Sequence, residues 1–446
     1  MGIFHRIGYY ARVPRSAEPE AVRVLLENPF EVGADRLTSA IASLTRRGAV
    51  ESALRAAMDR GGEAIERALL AVVHAQACTS PGRLAHVLGP DVLPPSAVRA
   101  LRHPKHEYLV VGAAAGRCLR ALAALRGESA AMATVRRATW AACFGDSLLH
   151  ALELARVIHD HDVLILGETG TGKEVVANAV QEGCLGPKDG SPAPRASLNA
   201  AAVPETLVDA ELFGHVKGAF TGAVEARLGR IRSAYGGSLF LDEVGDLGVN
   251  TQVKLLRVME TDEVSPLGSD KTYPASCRYV AATHKDLRAM VETGHFRRDL
   301  YQRLAGTVIR LPPLRERPED IRGIGRDFVD RFLPPTVLGP TRKRIEAWLD
   351  SKEAMTHRWP GNVRELQNAL RNLMLGLDPG VVSDTKIEAT ARDALPKELR
   401  DCTATLDQLV AWYVRRVVDR SDGNIAQAAR ILGVDRNTVR RRLRAS

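Results

Sequence analysis

Apolar positions recur at helical spacing from Ala17 to about Leu125, as in Ala64, Ile65, Ala68, Leu69, Val72 and Val73, the stripe by which a helix buries one face. Gly61-Gly62, Pro81-Gly82, Gly89-Pro90 and Pro94-Pro95 cut this stretch into short helices, because glycine and proline end regular structure. The pattern predicts an all-α N-terminal domain over residues 1–130, without a measurable repeat period. A charged, Ala-rich stretch from Arg126 to Arg137 follows, and then the period changes. The apolar run Val163-Leu164-Ile165-Leu166 ends in a glycine-rich loop and leads into an amphipathic stretch beginning near Lys173: strand, loop, helix. Ser238 to Leu241 and Tyr279 to Ala282 have the length of buried parallel strands, with helical patterns between them, so residues 131–315 read as an α/β unit. Beyond Pro312-Pro313, helical periodicity returns from Ile321 to about Leu377 and predicts a helical subdomain over 316–377 beside the sheet. A polar linker over 378–403 separates it from terminal helices over 404–446.

Composition changes this picture little. The 446 residues are 45% hydrophobic and 26% charged, which suits several globular domains and excludes a disordered or collagen-like chain. No apolar run approaches the roughly 18 residues that would span a bilayer, and Met1 to Tyr10 lacks the core of a signal peptide. The six cysteines, at 78, 118, 143, 184, 277 and 402, contain no CxxC pair, so neither a disulfide framework nor a zinc ribbon is expected, and a reducing cytoplasm is the simplest compartment. Charge is more informative. The net +9 divides into +5 over residues 1–130, −2 over 131–410, and +6 over 411–446, where nine Arg stand against three Asp. A basic protein has several possible partners, but a charge concentrated in 36 residues asks for a local explanation.

Gly167-Glu168-Thr169-Gly170-Thr171-Gly172-Lys173 satisfies GxxxxGK between an apolar strand and a helix. Glycines let the backbone wrap phosphates, N–H groups and the helix N-terminus supply positive potential, and the lysine reaches the β and γ oxygens. Glu174 stands where Ser or Thr usually touches Mg2+, which shifts that duty toward Asp242. The run Leu239-Phe240-Leu241 ends in Asp242-Glu243: Asp242 can hold Mg2+ and Glu243 can polarise an attacking water. An isolated Asp-Glu is more often a solvated cap; its pairing with Lys173 at an ordinary separation implies ATP binding and hydrolysis.

Between these motifs lies Glu211-Leu212-Phe213-Gly214-His215-Val216-Lys217-Gly218-Ala219-Phe220-Thr221-Gly222-Ala223. With its GAFTGA core, the chain resembles the AAA+ ATPases of bacterial enhancer-binding proteins, the activators of sigma-54 RNA polymerase, over about residues 131–377 and again at the C-terminus. The resemblance implies that Gly218, Ala219, Phe220, Thr221, Gly222 and Ala223 tip a loop touching sigma-54, with Phe220 and Thr221 at the contact positions. It implies that Asn199 hydrogen-bonds the catalytic Glu243 and couples it to that loop. Thr283 matches a γ-phosphate sensor, followed by His284 in place of an Asn. Arg297 and Arg303 match arginine fingers that enter a neighbouring subunit's ATP site, a task suited to a planar, permanent charge. Trp359-Pro360-Gly361-Asn362-Val363-Arg364-Glu365-Leu366 resembles the start of a second sensor helix, with Arg364 on the same subunit's nucleotide. Fingers acting in trans imply a homo-oligomer, in the family a hexameric ring built from dimers.

At the C-terminus, Leu406 to Arg420 has helical spacing, Gly423 and Asn424 read as a stop and an N-cap, and Ile425 to Leu432, Gly433 and Arg436 to Leu443 form helix, turn, helix. Ala428 and Ala429 are small enough for close crossing, and Val434, Val439 and Leu443 are expected in the core. Arg436, Asn437, Thr438, Arg440, Arg441, Arg442 and Arg444 remain on the outside to meet phosphates and base edges of double-stranded DNA, and Asn424 to Leu443 resembles the Fis type. The leading expectation is a cytoplasmic, ATP-dependent activator bound at upstream activator sequences that remodels the sigma-54 holoenzyme. A regulator that keeps the ATPase fold without remodelling, and an AAA+ motor acting on other substrates, are the alternatives; GAFTGA, Asp242-Glu243 and the two arginines weigh against them. Residues 1–130 show neither the acidic pocket of a phosphorylated receiver nor strand periodicity, and are expected to be a helical regulatory or protein-interaction domain.

Overall fold

The computed structural model describes residues 19–46, 48–80, 82, 84–333, 339–381, 405–419, 421 and 424–444. Most of the expected linker 378–403, the opening segment Met1 to Tyr10, and Gly423 lie outside the described residues. The chain forms two units, Met1–Pro379 and Gly380–Ser446. Among the described residues no helix is long and apolar enough to cross a membrane.

Among the described residues the first unit is organised by nine strands: β1 (Val163–Leu166), β2 (Arg195–Asn199), β3 (Gly214–His215), β4 (Arg227–Leu228), β5 (Ser238–Asp242), β6 (Glu263–Val264), β7 (Tyr273–Pro274), β8 (Arg278–Thr283) and β9 (Thr307–Arg310). Five of them make a parallel sheet in the order β2-β5-β8-β1-β9. Alternation along each strand divides the core in two, because successive side chains point to opposite faces. Leu164, Leu239, Leu241, Tyr279 and Ala281 face one layer, filled by Leu212, Leu255 and Leu300 from the following helices. Val163, Ile165, Phe240, Val280 and Ala282 face the other.

That second layer reaches well beyond the ATPase. The N-terminal helices Glu20–Leu26, Ala34–Thr45, Ala49–Met58, Gly62–Thr79 and Lys105–Leu122 bring Leu25, Leu54, Leu69, Val72, Tyr108 and Cys118 into the same continuous core. Helix Lys105–Leu122 packs on helix Gly62–Thr79 so closely that a Cβ at Gly112 would lie 2.6 Å from the Val73 side chain. On its other side it is joined to the end of helix Lys173–Glu182: Arg117 donates to the carbonyls of Glu182 at 3.2 Å and Gly190 at 2.7 Å. The α/β unit is therefore not set off from the N-terminal helices by a solvated hinge. Between them, residues 123–129 form a short strap, followed by helix Ala130–Phe144, which covers the same face of the sheet.

After β9 the lid consists of helices Glu319–Phe332, Gly339–Leu349, Lys352–Thr356 and Asn362–Met374, packed around buried Ile321, Phe328, Ile345, Trp359, Leu366 and Leu370. In the second unit the described residues form the helices Leu406–Asp419, Ile425–Leu432 and Arg436–Arg444. Val414, Val417, Ala428, Ala429 and Val439 are its core, with Leu443 partly buried against them. Val434 departs from expectation: it is 41% exposed, because it follows the left-handed Gly433 (φ 65°) in the turn and precedes the helix whose inward stripe begins at Val439.

Candidate functional site

In a parallel sheet the loops after the C-terminal strand ends gather at one edge. The register aligns Leu166 with Thr283, and Asn199 with Asp242, so four sequence-distant segments meet there. Residues 167–172 wrap from β1 into helix Lys173–Glu182, and two of the loop's glycines, Gly170 (φ 78°) and Gly172 (φ 110°), take backbone angles that other residues avoid. A cavity of about 500 Å³ opens above it, lined by Thr169 to Val175, Asn199, Asp242, Glu243 and, from the lid, Arg331, Val363, Arg364 and Gln367. Its size and its ring of backbone N–H groups fit a nucleoside triphosphate. Gly167 and Glu168 form the near end of the loop, and Lys173 Nζ folds back onto their carbonyls at 2.9 and 3.3 Å.

The two acidic residues at the end of β5 have different surroundings. Asp242 is half-buried; burial and the neighbouring Glu243 charge push its carboxyl above the usual value. Glu243 has a left-handed backbone (φ 51°), which turns its carboxylate toward the end of β8. There Oε2 accepts from Thr283 Oγ1 at 3.2 Å and from the His284 N–H at 3.2 Å, and lies 2.8 Å from His284 Nδ1; Oε1 is 3.5 Å from Lys173 Nζ. Burial alone would raise this carboxyl, but the His284 hydrogen bonds and the Lys173 charge outweigh it and hold the group below its ordinary value. Asn199 makes a different bond from the one expected: its amide donates to Asp242 Oδ2 at 2.9 Å, not to Glu243, because register places it directly opposite Asp242 while Glu243 has turned away. Among the described residues no group of three or more His, Cys, Asp or Glu is placed to hold a metal. A divalent ion would depend on Asp242 together with phosphate oxygens, with exposed Glu174 adding negative charge beside it.

Arg297 and Arg303 do not line this cavity. Both lie on the segment around helix Arg298–Leu304: Arg297 is exposed and forms a two-pronged pair with Asp299 at 2.7 and 3.1 Å. Arg303 is tied to its own subunit, reaching the carbonyls of Asp160 and Met259 at 3.4 Å and lying 3.8 Å from Asp162. The structure adds two contributions that the sequence did not assign. Ala124, Leu125 and Arg126 of the strap also line the nucleotide cavity, and His284 contacts Glu243 directly.

The GAFTGA residues tip the β3–β4 hairpin. Gly218 (φ 80°) and Gly222 (φ 100°) make its bends, and the Gly218 N–H donates to the Ala223 carbonyl at 2.9 Å. Thr221 is exposed and Ala223 buried. Phe220 is 36% exposed and packs edge-on against His215, with ring centroids 5.0 Å apart; Ala219 sits beside Gly268 of the β6–β7 loop. In the second unit, Asn424 caps its helix through the N–H groups of Ala426 and Gln427. Asp435 accepts from the N–H groups of Asn437 and Thr438 at the start of the last helix. Arg436, Asn437, Arg440 and Arg441 are exposed, Thr438 and Arg442 partly buried, and the Arg444 side chain lies outside the described atoms.

Residues 146–310 match the sigma-54 interaction domain, 315–401 the AAA+ ATPase lid domain, and 413–445 the Fis family of bacterial regulatory proteins. SfnR of Pseudomonas putida, a sigma54-dependent transcriptional activator, is 37% identical over 338 residues, 71% of this chain and 90% of that protein. This chain belongs to the sigma-54-dependent transcriptional activators. The C4-dicarboxylate transport regulatory protein DctD of Pseudomonas aeruginosa is 40% identical over 283 residues, 64% of this chain, and the Nif-specific regulatory protein of Azotobacter vinelandii 42% over 281 residues, 61% of this chain. The chain spans only 58% and 52% of the length of these last two proteins. The crystal structure of NtrX from Brucella abortus overlays with a TM-score of 0.45 at 25% identity, covering 84% of this chain and 85% of that one, too loosely to add to the assignment. The domain set of a sigma-54-dependent activator is thus present in one chain: an AAA+ ATPase domain of the sigma-54 interaction family, its lid, and a DNA-binding helix-turn-helix.

Proposed function

We propose that this activator binds upstream DNA through its last helix and uses ATP hydrolysis to convert the closed complex of sigma-54 polymerase into an open one. The observation that carries this reading is the presence, in one ATPase unit, of the Lys173 and Asp242-Glu243 cavity and of an exposed GAFTGA hairpin. ATP would supply the phosphoryl-transfer free energy, and Mg2+ would neutralise charge on its phosphates. The residues around the cavity have separable tasks. The N–H groups of Glu168 to Glu174 and the Lys173 ammonium hold the phosphates. Asp242, kept in place by Asn199, would hold the metal. Glu243, ionised and clamped by Thr283 and His284, orients the attacking water. Arg364 closes on the nucleotide from the lid, and Arg297 and Arg303 serve a neighbouring protomer's site in a homo-oligomeric ring, six-membered as in the family. Phe220 and Thr221 present the sigma-54 contact, while Arg436, Asn437, Thr438, Arg440, Arg441, Arg442 and Arg444 meet DNA. The helices before residue 130 form the regulatory region.

The test is ATP-dependent open-complex formation by sigma-54 polymerase, with Thr221→Ala as control. The expected result is open complexes only with ATP and sigma-54, and none with the variant at unchanged ATPase. Open complexes without sigma-54, or a fully active Thr221→Ala, would overturn the reading.

A further inference from the structure

A buried amide stands at the centre of the contact between the lid and the phosphate loop. Asn362 opens the helix that carries Arg364; it is fully buried and has a left-handed backbone, φ 52°. Its Oδ1 accepts from the Leu314 N–H at 2.7 Å, and its Nδ2 donates to the Thr169 carbonyl at 3.0 Å and to Glu168 Oε2 at 3.2 Å. The next N–H, that of Val363, donates to the Gly170 carbonyl at 3.1 Å. Arg315 completes the cluster with a two-pronged pair on Glu168 at 2.6 and 2.8 Å, and these bonds hold the Glu168 carboxyl below its usual value. The approach leaves no slack: a Cβ on Gly170 would lie 2.3 Å from the Gly361 carbonyl oxygen.

These contacts have a common direction. The lid takes the carbonyls of Thr169 and Gly170, on the opposite side of the loop backbone from their own N–H groups. A buried amide using both donors and its acceptor is geometrically demanding, and Asn is among the few side chains that tolerate a positive φ. We propose that Asn362 is a positioning residue for Arg364: it registers the first turn of the lid helix on Glu168 to Gly170, so that Arg364, two residues further on, stands at a set distance from phosphates held by the loop. Any shift of the loop on nucleotide binding is then passed to the lid through this amide. The inference rests on the reading of the cavity as an ATP site.

The experiment is a double-mutant cycle in the full-length protein, with ATPase KM and kcat as readouts for Asn362→Gly, Arg364→Ala and the pair. Glycine keeps the left-handed backbone and removes only the amide. Asn362→Gly is expected to raise the KM for ATP about tenfold in the wild-type background and less than about twofold once Arg364 is gone, because interacting residues are non-additive. An unchanged KM, or the same increase in both backgrounds, overturns the proposal; a purely structural role gives the second result. If Asn362→Gly does not fold, Arg315→Gln, which loosens the cluster from its exposed side, must show the same dependence on Arg364. A wild-type protein without ATPase activity would instead overturn the ATP reading itself.

Discussion

Ser129 and Asp320, 191 residues apart, share two hydrogen bonds: the Ser129 hydroxyl donates to Asp320 Oδ2 at 2.7 Å and its N–H to Oδ1 at 2.8 Å. The Glu128 N–H donates to the same carboxylate at 2.6 Å, so the strap that follows the N-terminal helices is fastened to the first helix of the lid. Asp320 also faces Arg317 at 3.7 Å, both side chains buried, and Arg317 reaches the Thr171 carbonyl at 3.3 Å. Strap, lid and phosphate loop therefore converge on one ion pair.

Asp320→Ala should be severely destabilising, because it strands a buried guanidinium and three donors at once. A loss of about 3–5 kcal/mol is expected from breaking one side of a buried pair, read as the shift of the urea midpoint at constant slope. Asp320→Asn should lose less. A wild-type midpoint for Asp320→Ala would show the pair to be dispensable.

Removing residues 1–122 should yield an insoluble or non-cooperative protein rather than a free ATPase. Leu25, Leu69, Val72, Tyr108 and Cys118 share one core with Val163, Val176 and Phe240, and deletion turns that face of helices Lys173–Glu182 and Ala130–Phe144 into an exposed apolar patch. Sedimentation and thermal melting of the truncated chain decide it. A monodisperse product with a sharp transition would show that the core divides.

Lys173→Ala should abolish ATP binding, whereas Glu243→Gln should keep binding and lose hydrolysis by two orders of magnitude or more, the scale of a general base. Mixing Lys173→Ala with Arg297→Ala should restore part of the ATPase activity if Arg297 acts across a subunit boundary. Arg303→Ala in the same mixture should also complement, with Arg303 released from its bonds to the Asp160 and Met259 carbonyls. Equal and complete failure of both mixtures would count against fingers acting in trans.

His74 sets a pH limit on stability. It is fully buried, lies 2.9 Å from the Leu25 carbonyl through Nδ1, and desolvation lowers its pKa to about 4. The unfolded chain, with a histidine near 6.5, therefore binds a proton in a range where the folded chain does not, and stability falls as pH drops from about 6.5 toward 4. Between pH 7 and pH 5 this amounts to about 2 kcal/mol. Asp162, raised by burial to about 6, acts in the opposite sense, since it favours the folded state at low pH. A comparison of wild type with His74→Asn cancels that contribution. The variant should lose less stability over this interval in urea titrations; identical losses would show that His74 titrates normally.

The site was legible where chemistry and strand period coincide. Val163–Leu166, Ser238–Leu241 and Tyr279–Ala282 are continuous apolar runs because their strands are covered on both faces, and they deliver Lys173, Asp242 and Thr283 to one edge. The outer strands were not legible: β2 (RASLN) and β9 (TVIR) lie at the sheet's edges, half-exposed, and their mixed polarity resembles a loop. Asn199 could be located but not paired, since its partner depends on the left-handed turn at Glu243, which has no local sequence signal. The strap failed to register for the opposite reason: Leu125 and Arg126 look like the end of one helix and the start of a charged spacer, and only the fold brings them to the nucleotide cavity. In the last helices Asn424, Gly433 and Val439 behaved as capping and periodicity require, while Val434 followed the turn instead of the stripe.

The continuous core between the N-terminal helices and the sheet also limits what can be exchanged. Grafting another N-terminal module onto this ATPase at the strap would leave Cys143, Val176 and Val180 without a cover of matching shape, and grafting these helices elsewhere would leave Tyr108 and Leu109 equally bare. The N-terminal helices and the ATPase unit are cut from one piece here, and substitutions on either side of helix Lys105–Leu122 are tolerated only as matched sets.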